Sequence, residues 1–143
     1  MAAAAGAAAG TPVGTTAAAP TPRMRWHAIP WVVYTDPEVA GVGLSEAQAK
    51  EQGRAVKVAK LDLRANGRFI AENDGVRGMC KVVVDADSDL VLGMQMIGPY
   101  ASEIVQGAAV MIEGELRARD VREIVFPHPT VSEIMRDALW ELR

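Results

Sequence analysis

The chain has 143 residues, 50% of them hydrophobic, so it is long enough for one domain with a core of its own. Its formal net charge of −3, without a basic stripe, excludes nucleic acid as a main partner. No apolar run approaches the roughly 20 residues that span a bilayer, so no membrane partner is expected. Cys80 is the single cysteine, which excludes an internal disulfide, and the cytoplasm is the expected compartment.

Residues 1–25 form a leader rich in alanine, glycine, threonine and proline, without an acidic residue. Such a composition cannot bury enough apolar area to offset the entropy of the chain, so the leader is predicted to be disordered. A linker is the favoured interpretation, while an organelle transit peptide stays open because acidic residues are missing. Residues 26–143 are predicted to form the folded domain.

Two short strands are predicted at residues 29–35 and 38–44, where β-branched and aromatic residues flank Asp36-Pro37. Ser45 is a favourable N-cap for a helix over 46–52, and Gly53 stands where a helix commonly ends. Gly41 and Gly43 are interpreted as structural glycines. A dinucleotide-binding loop needs a third glycine and a following helix in a βαβ unit.

The middle of the chain predicts a strand at 55–63, a turn at Asn66-Gly67 and an extended segment at 69–73. Residues 79–85 and 90–97 are predicted to pair as a hairpin, with Cys80 as a small core residue. Helical spacing of apolar residues follows at 102–115 and 131–142, with one helical turn at 121–125. Strands followed by helices indicate an α+β fold, with an antiparallel sheet backed by helices on one face.

A histidine between two prolines, Pro127-His128-Pro129, precedes the last predicted helix. Proline fixes φ and restricts the residue before it, so His128 should lie on a stiff, extended segment. Thr130 and Glu133 fit the capping-box pattern, and the Glu133 carboxylate could also reach back to the imidazole. A histidine oriented by a glutamate is typical of a general acid–base. A rigid turn followed by an ordinary helix cap is the alternative interpretation.

Three segments carry a resemblance to a known family: 29–46 (IPWVVYTDPEVAGVGLSE), 92–98 (LGMQMIG) and 128–133 (HPTVSE). In this order and spacing, they resemble the C-terminal dimerisation domain of the FAD-dependent pyridine nucleotide–disulfide oxidoreductases. The likeness is greatest to the dihydrolipoyl dehydrogenases. It implies a homodimer in which His128 is the catalytic acid–base, reaching into the partner's site, and Glu133 orients it. It also implies a cis bond between His128 and Pro129.

The sequence departs from the complete enzymes of that family in its redox centre. A single cysteine cannot form the redox-active pair, and the glycine fingerprints of the FAD and NAD domains are missing. The chain is therefore expected to bind no cofactor alone, with FAD and NAD held by domains on a longer or separate chain. Two alternatives stay open: a stand-alone homodimerising module without catalysis, and the same domain from a glutathione-type disulfide reductase.

Overall fold

The computed structural model of this chain describes residues 24–142. The predicted disordered leader, apart from Met24 and Arg25, lies outside the described residues and stays a prediction. None of the helices in the described range is long and apolar enough to cross a membrane.

One antiparallel sheet organises the described residues. Its strands, in chain order, are β1 (Trp31–Val33), β2 (Val39–Gly43), β3 (Val56–Asp62), β4 (Met79–Asp85) and β5 (Val91–Ile97). They lie in the order β1-β2-β5-β4-β3, and every neighbouring pair is antiparallel. The hairpin predicted between residues 79–85 and 90–97 is therefore confirmed as β4 and β5.

Five α-helices lie within the same range: α1 (Glu46–Glu51), α2 (Gly67–Glu72), α3 (Ala101–Glu113), α4 (Ala118–Glu123) and α5 (Ile134–Trp140). Short 3₁₀ turns precede β1, α2 and α5, at Trp26–Ala28, Leu63–Ala65 and Val131–Glu133. The last predicted helix thus begins as a 3₁₀ turn and continues as α5. The helical turn predicted at 121–125 begins earlier, at Ala118.

The main core lies between one face of the sheet and helices α3 and α5. Helix α3 packs on β2 and β5, and α5 packs on β3 and β4. The largest side chains that are fully buried are Phe69, Leu63, Met94, Met96, Ile134 and Leu139. This arrangement confirms the α+β fold predicted from the sequence.

The short helix α1 packs on the other face of the sheet. Its Ala49 forms a small second cluster with Val83 of β4 and Leu92 of β5. Val82 and Val84, on either side of Val83, belong to the main core instead. The split follows from the two-residue period of a strand, which sends successive side chains to opposite faces.

The extended segment predicted at residues 69–73 is wrong, because these residues belong mainly to helix α2. Asn66, interpreted from the sequence as part of a turn, is instead the N-cap of this helix. Its side-chain oxygen accepts a hydrogen bond from the backbone N–H of Phe69 at 2.9 Å. The helix has only six residues, too few for a periodic pattern, and it buries Phe69 completely against the core.

Candidate acid–base site

The site is built on the loop that joins α4 to the C-terminal helix. Pro127, His128 and Pro129 lie in this loop, and the peptide bond between His128 and Pro129 is cis, as the family resemblance implies. The Thr130 hydroxyl donates a hydrogen bond to the carbonyl oxygen of Pro127 at 2.7 Å. The loop is therefore closed on itself directly before the 3₁₀ turn that carries Glu133.

The structure brings His128 and Glu133 into contact. The imidazole Nδ1 lies 3.0 Å from Glu133 Oε1 and 3.1 Å from Oε2. The Glu133 side chain is only 8% exposed, whereas that of His128 is 80% exposed. The pair therefore joins an anchored carboxylate to a ring that other molecules can reach.

Glu133 is surrounded by hydrogen-bond donors. The backbone N–H of Thr130 donates to its Oε2 at 3.0 Å, and Arg136 Nη2 donates to its Oε1 at 3.3 Å. The pKa of Glu133 lies below its usual value, mainly because of the Thr130 N–H, with further lowering by His128 and Arg136 against the opposing effect of burial. The carboxylate is therefore ionised near neutral pH.

An ionised carboxylate fixes the proton on the imidazole. Since both oxygens of Glu133 can only accept, Nδ1 of His128 must carry the hydrogen that lies between them. In the neutral ring, Nε2 is then the nitrogen with the free lone pair. The His128 ring can thus take up a proton at Nε2 and return it, while Glu133 stabilises the cation formed in between.

Arg136, which the sequence analysis did not single out, supports Glu133 from the next turn. Its guanidinium lies 4.5 Å from the centre of the Trp140 ring and 5.5 Å from that of Phe126. It also donates to Asp137 Oδ1 at 3.1 Å. The spacing of three residues between Glu133 and Arg136 is the sequence signal that could have found this pair.

Asn66 is a second contact that the sequence analysis missed. Its Nδ2 donates a hydrogen bond to the carbonyl oxygen of Thr130 at 2.8 Å, although 64 residues separate the two. The side chain of Asn66 is buried, with a residue exposure of 4%. Helix α2 is therefore tied directly to the loop that carries His128.

Other candidate groups in the described residues have structural roles. Gly41 lies under the ring of Trp31, and a Cβ at Gly43 would meet the carbonyl oxygen of Leu92, so both glycines allow close packing inside the sheet. Cys80 is fully buried, and burial raises the pKa of its thiol to about 12, so it is unsuited to nucleophilic chemistry.

Acidic, cysteine and histidine side chains do not gather into a metal site within residues 24–142. No group of three or more of them is placed to hold an ion in that range.

Comparison with known proteins identifies the family. The family model for the pyridine nucleotide-disulphide oxidoreductase dimerisation domain matches residues 29–139. The chain belongs to this family. Curated dihydrolipoyl dehydrogenases align with most of this dimerisation domain, so the resemblance drawn from the three sequence segments is confirmed.

Three such relatives come from distant organisms. The dihydrolipoyl dehydrogenase of Cupriavidus necator is 36% identical over 129 residues, which is 90% of this chain and 27% of the relative. The Thermus scotoductus enzyme is 43% identical over 110 residues, 77% of this chain and 24% of the relative. The mitochondrial enzyme of Caenorhabditis elegans is 42% identical over 113 residues, 79% of this chain and 23% of the relative. This chain therefore spans about a quarter of the length of these relatives.

Solved structures show the same fold. The flavoprotein disulfide reductase RclA of Escherichia coli, described as HOCl-induced, superposes with a TM-score of 0.76 at 28% identity, covering 80% of this chain and 26% of RclA. LpdA of Mycobacterium tuberculosis superposes with a TM-score of 0.77 at 24% identity, covering 84% of this chain and 26% of LpdA. The dimerisation domain described here is thus similar to one part of each larger protein.

Proposed function

We propose that this dimerisation domain works as part of a dihydrolipoyl dehydrogenase-like flavoenzyme, in which His128 is the catalytic acid–base and Glu133 orients it. The observation that carries the proposal is the pair of short contacts between His128 Nδ1 and the buried, ionised carboxylate of Glu133. The curated relatives described above are all named dihydrolipoyl dehydrogenases, which favours a dihydrolipoyl substrate over glutathione.

In the proposed reaction, Nε2 of His128 accepts the proton of a substrate thiol. The thiolate that forms attacks a disulfide supplied by another part of the enzyme, which breaks the S–S bond and releases a second thiolate. The other product is a mixed disulfide between substrate and enzyme. The imidazolium stays paired with Glu133 until it gives its proton to the released thiolate, which becomes a thiol, and the ring then returns to its starting state. General acid–base catalysis of this kind contributes about 10²- to 10⁴-fold to a rate.

The second part of the proposal is a homodimer in which His128 serves the partner's site. The ring of His128 is mostly exposed, so a second chain could approach it. Ile124 and Val125 lie just before the loop and are 44% and 91% exposed, and Trp140 on the last helix is 37% exposed. Exposed apolar side chains around a reactive histidine are what a partner chain would cover.

A domain exchange tests the catalytic role. Residues 26–142 would replace the matching C-terminal part of the Thermus scotoductus dihydrolipoyl dehydrogenase, and NAD⁺ reduction by dihydrolipoamide would be measured. We expect His128→Ala to lower kcat by about 100-fold or more, the contribution expected of a general acid–base. His27→Ala is the matched control, because His27 is the other histidine and lies at the surface, 3.8 Å from a partly exposed glutamate, Glu113.

Two outcomes of the exchange experiment decide the proposal. If the His128→Ala exchange enzyme binds its flavin, forms a dimer and keeps kcat within about twofold of the parent exchange enzyme, the acid–base role is wrong. If kcat falls only in the His128 variant, the role is supported.

The association of the 143-residue chain can be followed separately by sedimentation equilibrium. A chain that stays monomeric at micromolar concentration would count against the dimer.

An immunoblot of the source cells tests whether the domain works inside a longer protein. An antibody against this chain should detect a band several times larger than 15.2 kDa if the flavin and nicotinamide domains precede it on one polypeptide. A band near 15.2 kDa would instead favour a separate small protein, which either dimerises alone or completes a split enzyme.

A further inference from the structure

Asn66 uses both ends of its side-chain amide. The oxygen accepts the N–H of Phe69 at 2.9 Å and so caps helix α2, while the nitrogen donates to the carbonyl oxygen of Thr130 at 2.8 Å. The residue is buried, with an exposure of 4%. An amide in such a place must have its partners satisfied, because a buried polar group without one is costly. Asn66 therefore connects α2 to the loop that carries His128.

Thr130 connects Asn66 to the pair formed by His128 and Glu133. Its carbonyl is held by Asn66, and its N–H donates to Oε2 of Glu133 at 3.0 Å. The same Oε2 lies 3.1 Å from Nδ1 of His128. Both backbone groups of Thr130 are therefore hydrogen-bonded, one to Asn66 and the other to Glu133. A shift of the Thr130 backbone would therefore move the N–H that holds the carboxylate and, through it, the imidazole.

We propose that Asn66 is a positioning residue of the acid–base pair, acting through Thr130 and Glu133 on the ring of His128. The proposal deepens the proposed function and rests on it for its catalytic meaning. The proposal also states that the His128–Glu133 contact depends on the Asn66 side chain of α2. This dependence can be measured without an activity assay.

The choice of asparagine at this position supports the proposal. A helix N-cap needs only an oxygen acceptor, and aspartate, serine and asparagine serve about equally well. The donor that reaches Thr130 is supplied by the amide of asparagine but not by a carboxylate. Asn66→Asp therefore keeps the cap on Phe69 and replaces the donor with an acceptor that repels the Thr130 carbonyl. Asparagine and aspartate have almost the same shape, so this one substitution separates the capping of α2 from the hydrogen bond to Thr130.

The experiment uses the ¹⁵N-labelled 143-residue chain and two NMR measurements. Amide exchange of Thr130 reports the loop, and the imidazole ¹⁵N shifts of neutral His128 report which nitrogen carries the proton. In Asn66→Asp we expect the Thr130 amide to exchange about fivefold faster or more, as expected from losing one ordinary hydrogen bond. We also expect His128 to shift from the Nδ1–H form toward a mixture of both tautomers.

Asn73→Asp is the matched control. Asn73 lies at the other end of α2, and its amide donates to the carbonyl oxygen of Phe69 at 3.1 Å. The same substitution there disturbs the helix without removing the contact with Thr130, so the tautomer of His128 should stay as in the parent chain. A tautomer change of equal size in both variants would show that any weakening of α2 suffices, and the proposal would be overturned.

A second variant covers the case in which Asn66→Asp does not fold. Asn66→Ser retains a capping oxygen but is too short to reach Thr130, so it should give the same two changes. If a folded Asn66 variant leaves the Thr130 exchange rate and the His128 tautomer unchanged, Asn66 only caps the helix and the proposal is wrong. The domain exchange with His128→Ala decides the catalytic role independently, so the two proposals can fail separately.

Discussion

Glu133→Gln tests how much the buried carboxylate contributes to the stability of the domain. The substitution keeps the shape of the side chain but removes the charge that Thr130, His128 and Arg136 all donate to. A hydrogen bond to a charged group contributes about 1.5–3 kcal/mol. The bond from the exposed His128 ring is screened by water, so we take the Thr130 N–H and the mostly buried Arg136 as the main loss. The expected destabilisation near pH 7 is about 2–3 kcal/mol.

The pH dependence of this difference has a definite sign. The pKa of Glu133 is lowered in the folded chain, mainly by the N–H of Thr130, from an ordinary value of 4.5. A group with a lowered folded pKa stabilises the fold fully above its ordinary pKa and loses that contribution as the pH falls through the folded pKa. Glutamine does not titrate. The difference in the free energy of unfolding between parent and variant should therefore become smaller below pH 4.5.

Urea unfolding, monitored by circular dichroism at a series of pH values, measures the difference in the free energy of unfolding between parent and variant. Glu103→Gln is the matched control, because Glu103 is an exposed carboxylate in the first turn of α3. Its loss should change the free energy of unfolding by no more than about 1 kcal/mol. The reasoning would be refuted if Glu133→Gln lowered the free energy of unfolding by less than about 0.5 kcal/mol at pH 7. It would also be refuted if that loss did not become smaller at acidic pH.

Three further predictions concern the core and the exposed ring. Phe69→Ala should lower the free energy of unfolding by about 3–5 kcal/mol in the same urea assay, since the ring is fully buried. The Cys80 thiol, with its pKa raised to about 12 by burial, should resist Ellman's reagent in the folded chain and react once in denaturant. His128→Ala should change stability by less than about 1 kcal/mol, because the ring is 80% exposed; a larger loss in a thermal melt would show that the ring is structural.

Local signals in the sequence predicted several elements correctly, because caps and turns depend on neighbouring residues. Ser45 accepts a hydrogen bond from the N–H of Gln48 at the start of α1, and Gly53 has the positive φ expected after the helix. The β4–β5 hairpin was equally clear, because both strands are continuous runs rich in apolar residues. The first strand was predicted too long, since β1 pairs with β2 only at residues 31–33.

The error at α2 has a specific physical cause. Asparagine followed by glycine is a frequent turn signal, yet asparagine is also one of the best N-caps, and both uses rest on the same short side-chain acceptor. The choice between them depends on where the next residues are buried. In the structure, Phe69 is fully buried from a helix that begins at Gly67, and the core that it enters is formed by the surrounding sheet and helices.

The sequence by itself determined the strands and helices other than α2, the place of the His128 loop and the family to which the chain belongs. These depend on local conformational preference and on motifs that are read along the chain. Only the tertiary structure decided that Asn66 would meet Thr130 across 64 residues. Contacts at such separation follow from how the helices pack against the sheet, because the side-chain pattern encodes which face is buried but not which distant group lies opposite.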